Sequence, residues 1–296
     1  MLDEKTKKIL VSIIIPVKNE GLHLKNTIES IKKVKNEVPY EVIIVNDNSD
    51  DGCCDFLKNS SDKKVELLET SGVGAAMARN IGAEKACGSI FIFCDAHLFF
   101  FENWIEKLIT PILAGTADAV NPGIADVFQP DRVGFGYSWD ENLDPKWNSD
   151  ITTLTPSPLL AGGCLAVTRN AFEAVNGFER GFQVWGREDE EFSLKLWLFG
   201  FKCYLTPDTT VLHVFREGEP PFTLNWDHIY YNLLRMAYSH FSKARIKKCL
   251  SLITNANAET IKEKVLASDV MEQREKYNKL RKYSDDWFME KFKIPF

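Results

Sequence analysis

Short apolar runs alternate with amphipathic stretches through the first third of the chain. Four runs are rich in β-branched or aromatic residues and stop at polar turns, which is the pattern of buried strands. These runs cover residues 11–15, 41–45, 65–68 and 89–94. The stretches 22–34 and 75–86 between them have the apolar spacing or the alanine content of helices. Strands that alternate with helices predict an α/β fold, with a mostly parallel, Rossmann-like sheet flanked by helices on both faces.

The pattern changes in the second half of the chain. After a helix predicted over residues 104–113, residues 122–158 are rich in Pro, Gly, Asp and aromatic residues and show little periodicity. We interpret them as a long irregular segment that becomes ordered when a ligand binds. Periodicity returns with a strand pattern at 161–168 and with helices predicted over 169–175 and 188–199.

The last part of the chain carries helical patterns only. From Trp226 onwards the sequence has no strand pattern and is more basic. We therefore predict a main domain over residues 1–225 and a helical C-terminal appendage over residues 226–296. Aromatic residues of the appendage are expected to dock onto the main domain.

Composition narrows the class of protein. Hydrophobic residues make up 45% and charged residues 26% of the 296 residues, which is ordinary for a globular chain, and the net charge of −6 indicates no nucleic-acid footprint. No apolar run approaches the ~20 residues of a membrane helix, and the amino terminus lacks a signal-peptide pattern. The seven Cys show no paired Cys-x-x-Cys spacing. We expect a cytoplasmic protein with reduced thiols and no transmembrane segment.

An acid and an imidazole stand at the end of the fourth apolar run. Alternating residues of a strand point to the same side, so the side chains of Asp95 and His97 can face one point. A carboxylate and an imidazole at the carboxyl end of a buried strand suit a divalent cation, and this edge is where α/β sheets bind ligands. The alternative is an Asp that begins a turn beside an exposed His.

Three other polar segments follow predicted strands. They cover residues 16–20, 46–49 and 72–80, and they share one edge of a parallel sheet with Asp95 and His97. The Gly pair of residues 72–74 lies before a helix, where backbone N–H groups can approach a phosphate. It does not fit the dinucleotide fingerprint, which follows the first strand.

A run of four acids begins the predicted helix at residue 188, directly after Trp185-Gly186-Arg187. The helix dipole accounts for some acids at this end, and we assign Glu190 and Glu191 to that role. A Trp beside paired carboxylates is a common way to hold a sugar ring and to place a base. His213 follows an apolar pair, and it is either a core residue or a ligand.

Taken in order, these motifs resemble the nucleotide-sugar glycosyltransferases of the GT-A fold. Residues 11–97 are similar to the family 2 pattern, with a Pro-x-x-Asn-Glu opening at Pro16, an Asn-Asp-Asn-Ser loop at residue 46 and Ala78-Arg79-Asn80. The second half resembles the polypeptide N-acetylgalactosaminyltransferases. This similarity rests on Asp95-Ala96-His97, Ala161-Gly162-Gly163, Trp185-Gly186-Arg187-Glu188 and His213-Val214-Phe215-Arg216. The resemblance covers residues 11–216 and includes neither the lectin domain nor the secretory anchor of the animal enzymes.

The resemblance implies a role for individual residues. Asp47 matches the residue that reads uracil, and Arg79 matches a basic residue near the nucleotide. Asp95, His97 and His213 match the protein ligands of a Mn²⁺ ion, for which Mg²⁺ is an alternative. Glu188 matches an acid that holds the donor sugar. Further positions of the nucleotide-sugar site implied by the motifs are Pro16, Val17, Asn19, Glu20, Ala96, Gly162, Gly163 and Trp185.

Asp189 departs from the pattern of the animal enzymes, which retain anomeric configuration and carry Asn at this position. Inverting GT-A enzymes have an Asp there that acts as the base. An inverting displacement needs one carboxylate to take the acceptor proton. We therefore assign Asp189 and Glu188 to catalysis and favour inversion.

These observations predict a metal-dependent glycosyltransferase. It transfers a hexose or an N-acetylhexosamine from a UDP-sugar to a hydroxyl or thiol acceptor on a peptide, a natural product or a glycan. One alternative is a catalytically inactive module that binds nucleotide sugars. Another is a nucleotidyltransferase, although that class is expected to carry a Gly-rich basic loop after the first strand, and residues 16–20 are neither.

Overall fold

A mixed sheet with helices packed on it organises the chain. The computed structural model describes residues 9–216, 218 and 225–296. The strands are β1 (Val11–Val17), β2 (Tyr40–Asp47), β3 (Val65–Thr70), β4 (Ile90–Cys94), β5 (Leu98–Phe99), β6 (Ala119–Asp126), β7 (Gln129–Trp139), β8 (Pro145–Asn148), β9 (Thr155–Pro156), β10 (Cys164–Thr168) and β11 (Cys203–His213).

The helices connect these strands and then form the end of the chain. They are α1 (His23–Lys33), α2 (Asp55–Lys58), α3 (Ala75–Lys85), α4 (Trp104–Leu113), α5 (Arg169–Ala174), α6 (Glu188–Phe199), α7 (Trp226–His240), α8 (Lys243–Ser251), α9 (Ala258–Leu266), α10 (Val270–Leu280) and α11 (Asp285–Phe292). The alternation of strands and helices confirms the predicted α/β class.

The strand order is β3-β2-β1-β4-β10-β6-β11-β5, and β7, β8 and β9 lie off this path. Strands β1, β2, β3 and β4 pair in parallel, as the alternating pattern predicts. Strand β10 is antiparallel to both β4 and β6. The sheet as a whole is therefore mixed. The sequence pattern did not indicate the direction of β10, because a short apolar run looks the same in a parallel and in an antiparallel pair.

Two antiparallel steps bring the carboxyl end of β11 to the edge where β1, β2 and β4 also end. Strand β6 runs in the direction of β4 because β10 opposes both, and β11 is parallel to β6. His213, the last residue of β11, therefore lies at the same edge as Asp95, which follows β4. The topology thus unites residues that are far apart in sequence.

Residues 122–158 are not an irregular segment, so that prediction is wrong. Most of β6, all of β7 and β8, and β9 lie within this range. Phe135, Tyr137 and Trp139 occupy alternate positions of β7, and all three are buried. The many Pro, Gly and Asp residues obscured this two-residue period, which is itself the signal of a strand.

The C-terminal helices pack on the rest of the chain. Helix α6 contacts both α7 and α11. Trp139 of β7 lies edge-on to the rings of Phe241 and Phe288, with centroids 6.2 and 6.1 Å away. The division into residues 1–225 and 226–296 stays a prediction. Among the described residues, no helix has both the length and the hydrophobicity that crossing a membrane requires.

Candidate functional site

Two neighbouring cavities open at the carboxyl edge of the sheet. The larger, of about 800 Å³, is bordered by the ends of β1 and β2 and by the start of α3. The smaller, of about 270 Å³, lies between β7, β8 and the start of α6. Both are lined by Arg79, Asp95, Trp185 and His213. These four side chains form the boundary between the two cavities.

Three potential metal ligands converge at this boundary. Asp95, His97 and His213 each offer one ligand atom, and these atoms lie within 4.8 Å of one another. The Nε2 atoms of the two imidazoles are 3.1 Å apart, and Nε2 of His213 is 3.5 Å from Oδ2 of Asp95. Two imidazole nitrogens and a carboxylate oxygen that face one point are a donor set for a divalent cation.

Glu20 and Arg216 contact the imidazole of His97 on its Nδ1 side. Nδ1 of His97 is 3.1 Å from Oε2 of Glu20, and the Arg216 guanidinium donates a hydrogen bond to the same carboxylate oxygen. A carboxylate on Nδ1 favours the tautomer that leaves Nε2 free as a ligand. This arrangement therefore fits a metal ligand better than a solvent-exposed turn residue.

Arg79 connects Asp95 to Glu188. Its two terminal nitrogens are each 3.3 Å from a carboxylate oxygen, one of Asp95 and one of Glu188. Burial alone would raise the pKa of Asp95, but His213, His97 and Arg79 together hold that pKa well below its usual range. Burial raises the pKa of Glu188, and Arg79 opposes this rise. Asp95 is thus kept ionised, as a cation ligand must be.

The Gly162-Gly163 pair joins Asp95 to Asp189. The carbonyl of Gly163 accepts the backbone N–H of Asp95 at 2.9 Å, and the N–H of Gly162 donates to Oδ2 of Asp189, also at 2.9 Å. A Cβ on Gly162 would lie 3.2 Å from that carboxylate oxygen. Glycine therefore allows the close approach by which one backbone segment sets the spacing of the two acids.

The carboxylate of Asp47 lies against the loop after β3. It accepts the backbone N–H of Val73 at 2.6 Å and that of Gly74 at 2.9 Å. Gly74 has φ of +86°, and its backbone packs against Val184. Asp47 thus borders the larger cavity and also orders the glycine loop of residues 72–74, which lines the same cavity.

Aromatic side chains surround the mouth of the smaller cavity. Trp147 of β8, Trp185 and Phe215 line this cavity, and each exposes 45% of its surface. Tyr137 lies deeper, where burial raises its pKa and the nearby carboxylate of Asp189 raises it further. Exposed rings beside acids are a chemical environment that suits a sugar or a peptide.

Glu190 and Glu191 have specific partners beyond the helix dipole to which their positions were assigned. Glu190 accepts hydrogen bonds from Trp139 Nε1 at 2.7 Å and from Arg187 at 2.6 Å. Glu191 is fully buried, 3.1 Å from Nζ of Lys195 and 2.8 Å from Nε2 of His240. Both acids therefore anchor α6 in the core, and Glu190 also lines the smaller cavity beside Glu188 and Asp189.

Most of the predicted site residues meet at these cavities. Pro16, Val17, Glu20, Asp47 and His97 line the larger cavity, and Gly162, Gly163, Glu188 and Asp189 line the smaller one.

Asn19 and Ala96 line neither cavity in the described part of the chain. Asn19 accepts a hydrogen bond from the backbone of Asp50, and the carbonyl of Ala96 accepts one from Thr27. Their side chains and backbone thus support the loops that carry the site.

Sequence reasoning missed several residues that border the cavities. Tyr137 and Trp147 were hidden in the segment taken as irregular, where the alternating aromatic residues were the available signal. Arg216 was part of a recognised motif without an assigned role. His228 of α7 also lines the larger cavity, and no local pattern of the helix indicated this.

Comparison with known proteins supports the architecture. Residues 12–175 match the model of glycosyl transferase family 2, and residues 149–216 match that of the N-terminal domain of galactosyltransferase. A crystal structure of GalNAc-T7 with UDP, GalNAc and Mn²⁺ has a TM-score of 0.73 and 23% identity, over 97% of this chain and 57% of that one. Staphylococcus aureus TarS 1–349 with UDP-GlcNAc has a TM-score of 0.60 and 16% identity, over 90% and 72%. These similarities confirm the predicted GT-A fold.

Curated relatives are similar over most of this chain. Polypeptide N-acetylgalactosaminyltransferase 8 of Drosophila melanogaster is 28% identical over 97% of this chain and 52% of its own length. Putative polypeptide N-acetylgalactosaminyltransferase 10 of Caenorhabditis briggsae is 30% identical over 94% and 47%. The chain therefore spans about half the length of these relatives.

Proposed function

Because the chain belongs to glycosyl transferase family 2, we propose that it transfers a sugar from a UDP-sugar donor to an acceptor with the help of a divalent cation. The observation that carries this proposal is the convergence of Asp95, His97 and His213 where the two cavities meet. A transferase needs its donor and its acceptor on opposite sides of one reacting centre, and two adjoining cavities provide this arrangement.

The larger cavity is the proposed donor site. Asp47 lies on its wall, and the glycine loop of residues 72–74 lies beside it. The similar structures that contain UDP, GalNAc and Mn²⁺ or UDP-GlcNAc support a uridine nucleotide and an N-acetylhexosamine. Arg79 lies at the boundary between the cavities, and Glu188 lies 3.3 Å from it on the wall of the smaller one, so the pair is positioned to hold the sugar where the two cavities meet.

Asp95, His97 and His213 are the proposed ligands of Mn²⁺, with Mg²⁺ as the alternative. Such a cation stabilises the negative charge that develops on a departing diphosphate. Glu20 orients His97, and Arg79 adds positive charge beside Asp95. These residues would therefore hold and orient the cation that stabilises the leaving diphosphate.

The smaller cavity is the proposed acceptor site, with Asp189 as the base. In the inverting reaction, the acceptor hydroxyl gives its proton to a carboxylate oxygen of Asp189. The acceptor oxygen bonds to the anomeric carbon as the bond from that carbon to the diphosphate breaks. The names of the relatives favour a peptide acceptor over a natural product, a glycan or a thiol. The exposed rings of Trp147 and Phe215 offer such a peptide an apolar surface.

UDP release is the direct test. Purified protein, a panel of UDP-sugars and a mixture of Ser- and Thr-containing peptides are incubated with Mn²⁺ or with EDTA. We expect UDP release with at least one donor in Mn²⁺ and none in EDTA. Donor-dependent protection against thermal unfolding identifies the sugar, because a bound ligand stabilises the native state.

The same assay separates the alternatives. Binding of a UDP-sugar without turnover on any acceptor favours an inactive binding module. Release of pyrophosphate from UTP and a sugar phosphate favours a nucleotidyltransferase. Either result would contradict the proposed reaction.

A further inference from the structure

Helix α7 holds the loop that carries Trp185. We define the tryptophan loop as residues 183–187, which lie directly before α6 and line both cavities. Asn232 of α7 has no exposed surface, and its side-chain carboxamide faces the backbone of this loop. One helical turn further, Arg235 donates to Glu179 at 2.8 Å, so the same face of α7 also binds the segment that leads into the loop.

The Asn232 carboxamide matches the loop backbone group by group. Its Oδ1 accepts the N–H of Gln183 at 2.7 Å, and its Nδ2 donates to the carbonyls of Gln183 and Gly186, both at 2.9 Å. A carboxamide is the side chain that can accept one such bond and donate two at once. Alanine at position 232 would leave all three backbone groups without these partners.

The conformation of the loop requires an external support. Val184 has φ of +46° and Arg187 has φ of +69°, both in the left-handed region. This region is unfavourable for residues with a Cβ and especially for a β-branched one. Free of contacts, the segment would adopt other backbone conformations. The hydrogen bonds from Asn232 therefore contribute to selecting this one, together with the bond from the Gly186 N–H to Glu188 at 2.7 Å.

The tryptophan loop is in direct contact with the glycine loop beside Asp47. The carbonyl of Val184 accepts the N–H of Ala75 at 2.8 Å, where α3 begins. A Cβ on Gly74 would lie 2.9 Å from that carbonyl oxygen, so the two loops are in close contact. Gly74 in turn donates to Asp47. A continuous set of contacts thus runs from Asn232 to the wall of the larger cavity.

We propose that Asn232 is a positioning residue that holds the tryptophan loop, and through it the glycine loop, in the conformation that binds the sugar nucleotide. The inference rests on the proposed function for the identity of the ligand. It assigns to the C-terminal helices a part in building the donor site, in addition to their packing.

The test compares Asn232→Ala with Leu234→Ala. Leu234 is a fully buried residue of the same helix, and its truncation destabilises α7 without removing a hydrogen bond to the loop. Hydrogen exchange of the Gln183 amide and the dissociation constant for UDP in Mn²⁺ are measured below the unfolding temperature of each variant. For Asn232→Ala we expect the exchange rate of the Gln183 amide and the dissociation constant for UDP each to rise about tenfold or more. The donor KM should change more than kcat. For Leu234→Ala we expect neither rise.

Asn232→Asp serves if the alanine variant does not fold. It keeps the acceptor for the Gln183 N–H and loses both donors, so the Gln183 amide should stay protected while UDP binding weakens.

The inference is wrong if wild type binds UDP and Asn232→Ala binds it equally well, or if Leu234→Ala weakens binding as much. If wild type does not bind UDP, the proposed function is wrong, and unchanged exchange of the Gln183 amide in Asn232→Ala would refute the positioning role separately.

Discussion

Replacing Asp189 by Asn separates a catalytic role from a structural one. In the structure the Asp189 carboxylate accepts two backbone N–H groups, that of Gly162 at 2.9 Å and that of Glu190 at 3.0 Å. An Asn side chain has the same shape and only one acceptor oxygen. Its NH₂ group must therefore face one of these two donors, and one hydrogen bond is lost.

The two consequences of this change differ in size. Losing a hydrogen bond to a charged acceptor costs about 1.5–3 kcal/mol of stability. Removing a general base lowers the rate by about 10²–10⁴-fold, since the amide cannot take the acceptor proton. We expect turnover to fall by ~100-fold or more, and we expect UDP affinity to change little because the base acts only as the acceptor attacks.

The assay measures UDP release, UDP affinity by calorimetry and the unfolding temperature of the same preparations. Asp285→Asn is the matched control. Asp285 accepts the backbone N–H of Ser242 at 2.7 Å and forms an ion pair with Arg245 at 2.8 Å, which Asn would weaken, and it lies on α11 away from both cavities. The control should lose stability and keep its turnover.

The stereochemistry of the product decides the outcome independently. An Asp189 base requires inversion, so NMR of the product should show the anomeric configuration opposite to that of the donor. Retention of configuration, or an Asp189→Asn enzyme with turnover within a factor of three of wild type, would refute the assignment. Asp189 would then be a residue that positions the sugar.

Three further predictions concern the cation site and the core. Asp95→Asn removes a charged ligand at nearly constant shape, so Mn²⁺-dependent UDP release should be abolished while circular dichroism stays unchanged; turnover unchanged from that of the wild type would contradict the metal assignment. His213→Ala should weaken Mn²⁺ binding about 10-fold or more in calorimetry, whereas a core residue alone would cost stability and leave the metal dependence intact. Glu191→Ala should lower the free energy of unfolding in urea by about 3–5 kcal/mol, because the fully buried Lys195 loses its counter-charge; a loss below about 1 kcal/mol would show that Lys195 finds another partner.

The hydrophobic pattern of the sequence predicted those strands and helices that a local run of residues defines. The boundaries of β1, β2, β4 and α6 lie within two residues of the predicted ones, because each element is marked by a continuous apolar run or by an abrupt change to polar residues. Asp95 and His97 were identified because they follow the apolar run of β4, but the premise that they alternate on one strand is wrong, since both lie in the bend between β4 and β5. The similarity of the ordered motifs then added His213.

The tertiary structure decided everything that depends on which surfaces meet. His97 and His213 are 116 positions apart and face each other at 3.1 Å only because β10 reverses direction between β4 and β6. Similarly, the sequence assigned Glu191 only to the helix dipole, and packing alone gave it Lys195 and His240 as partners. Propensity and periodicity act over a few residues. Strand direction, buried ion pairs and the support of a loop by Asn232 arise from long-range packing, which the local pattern does not encode.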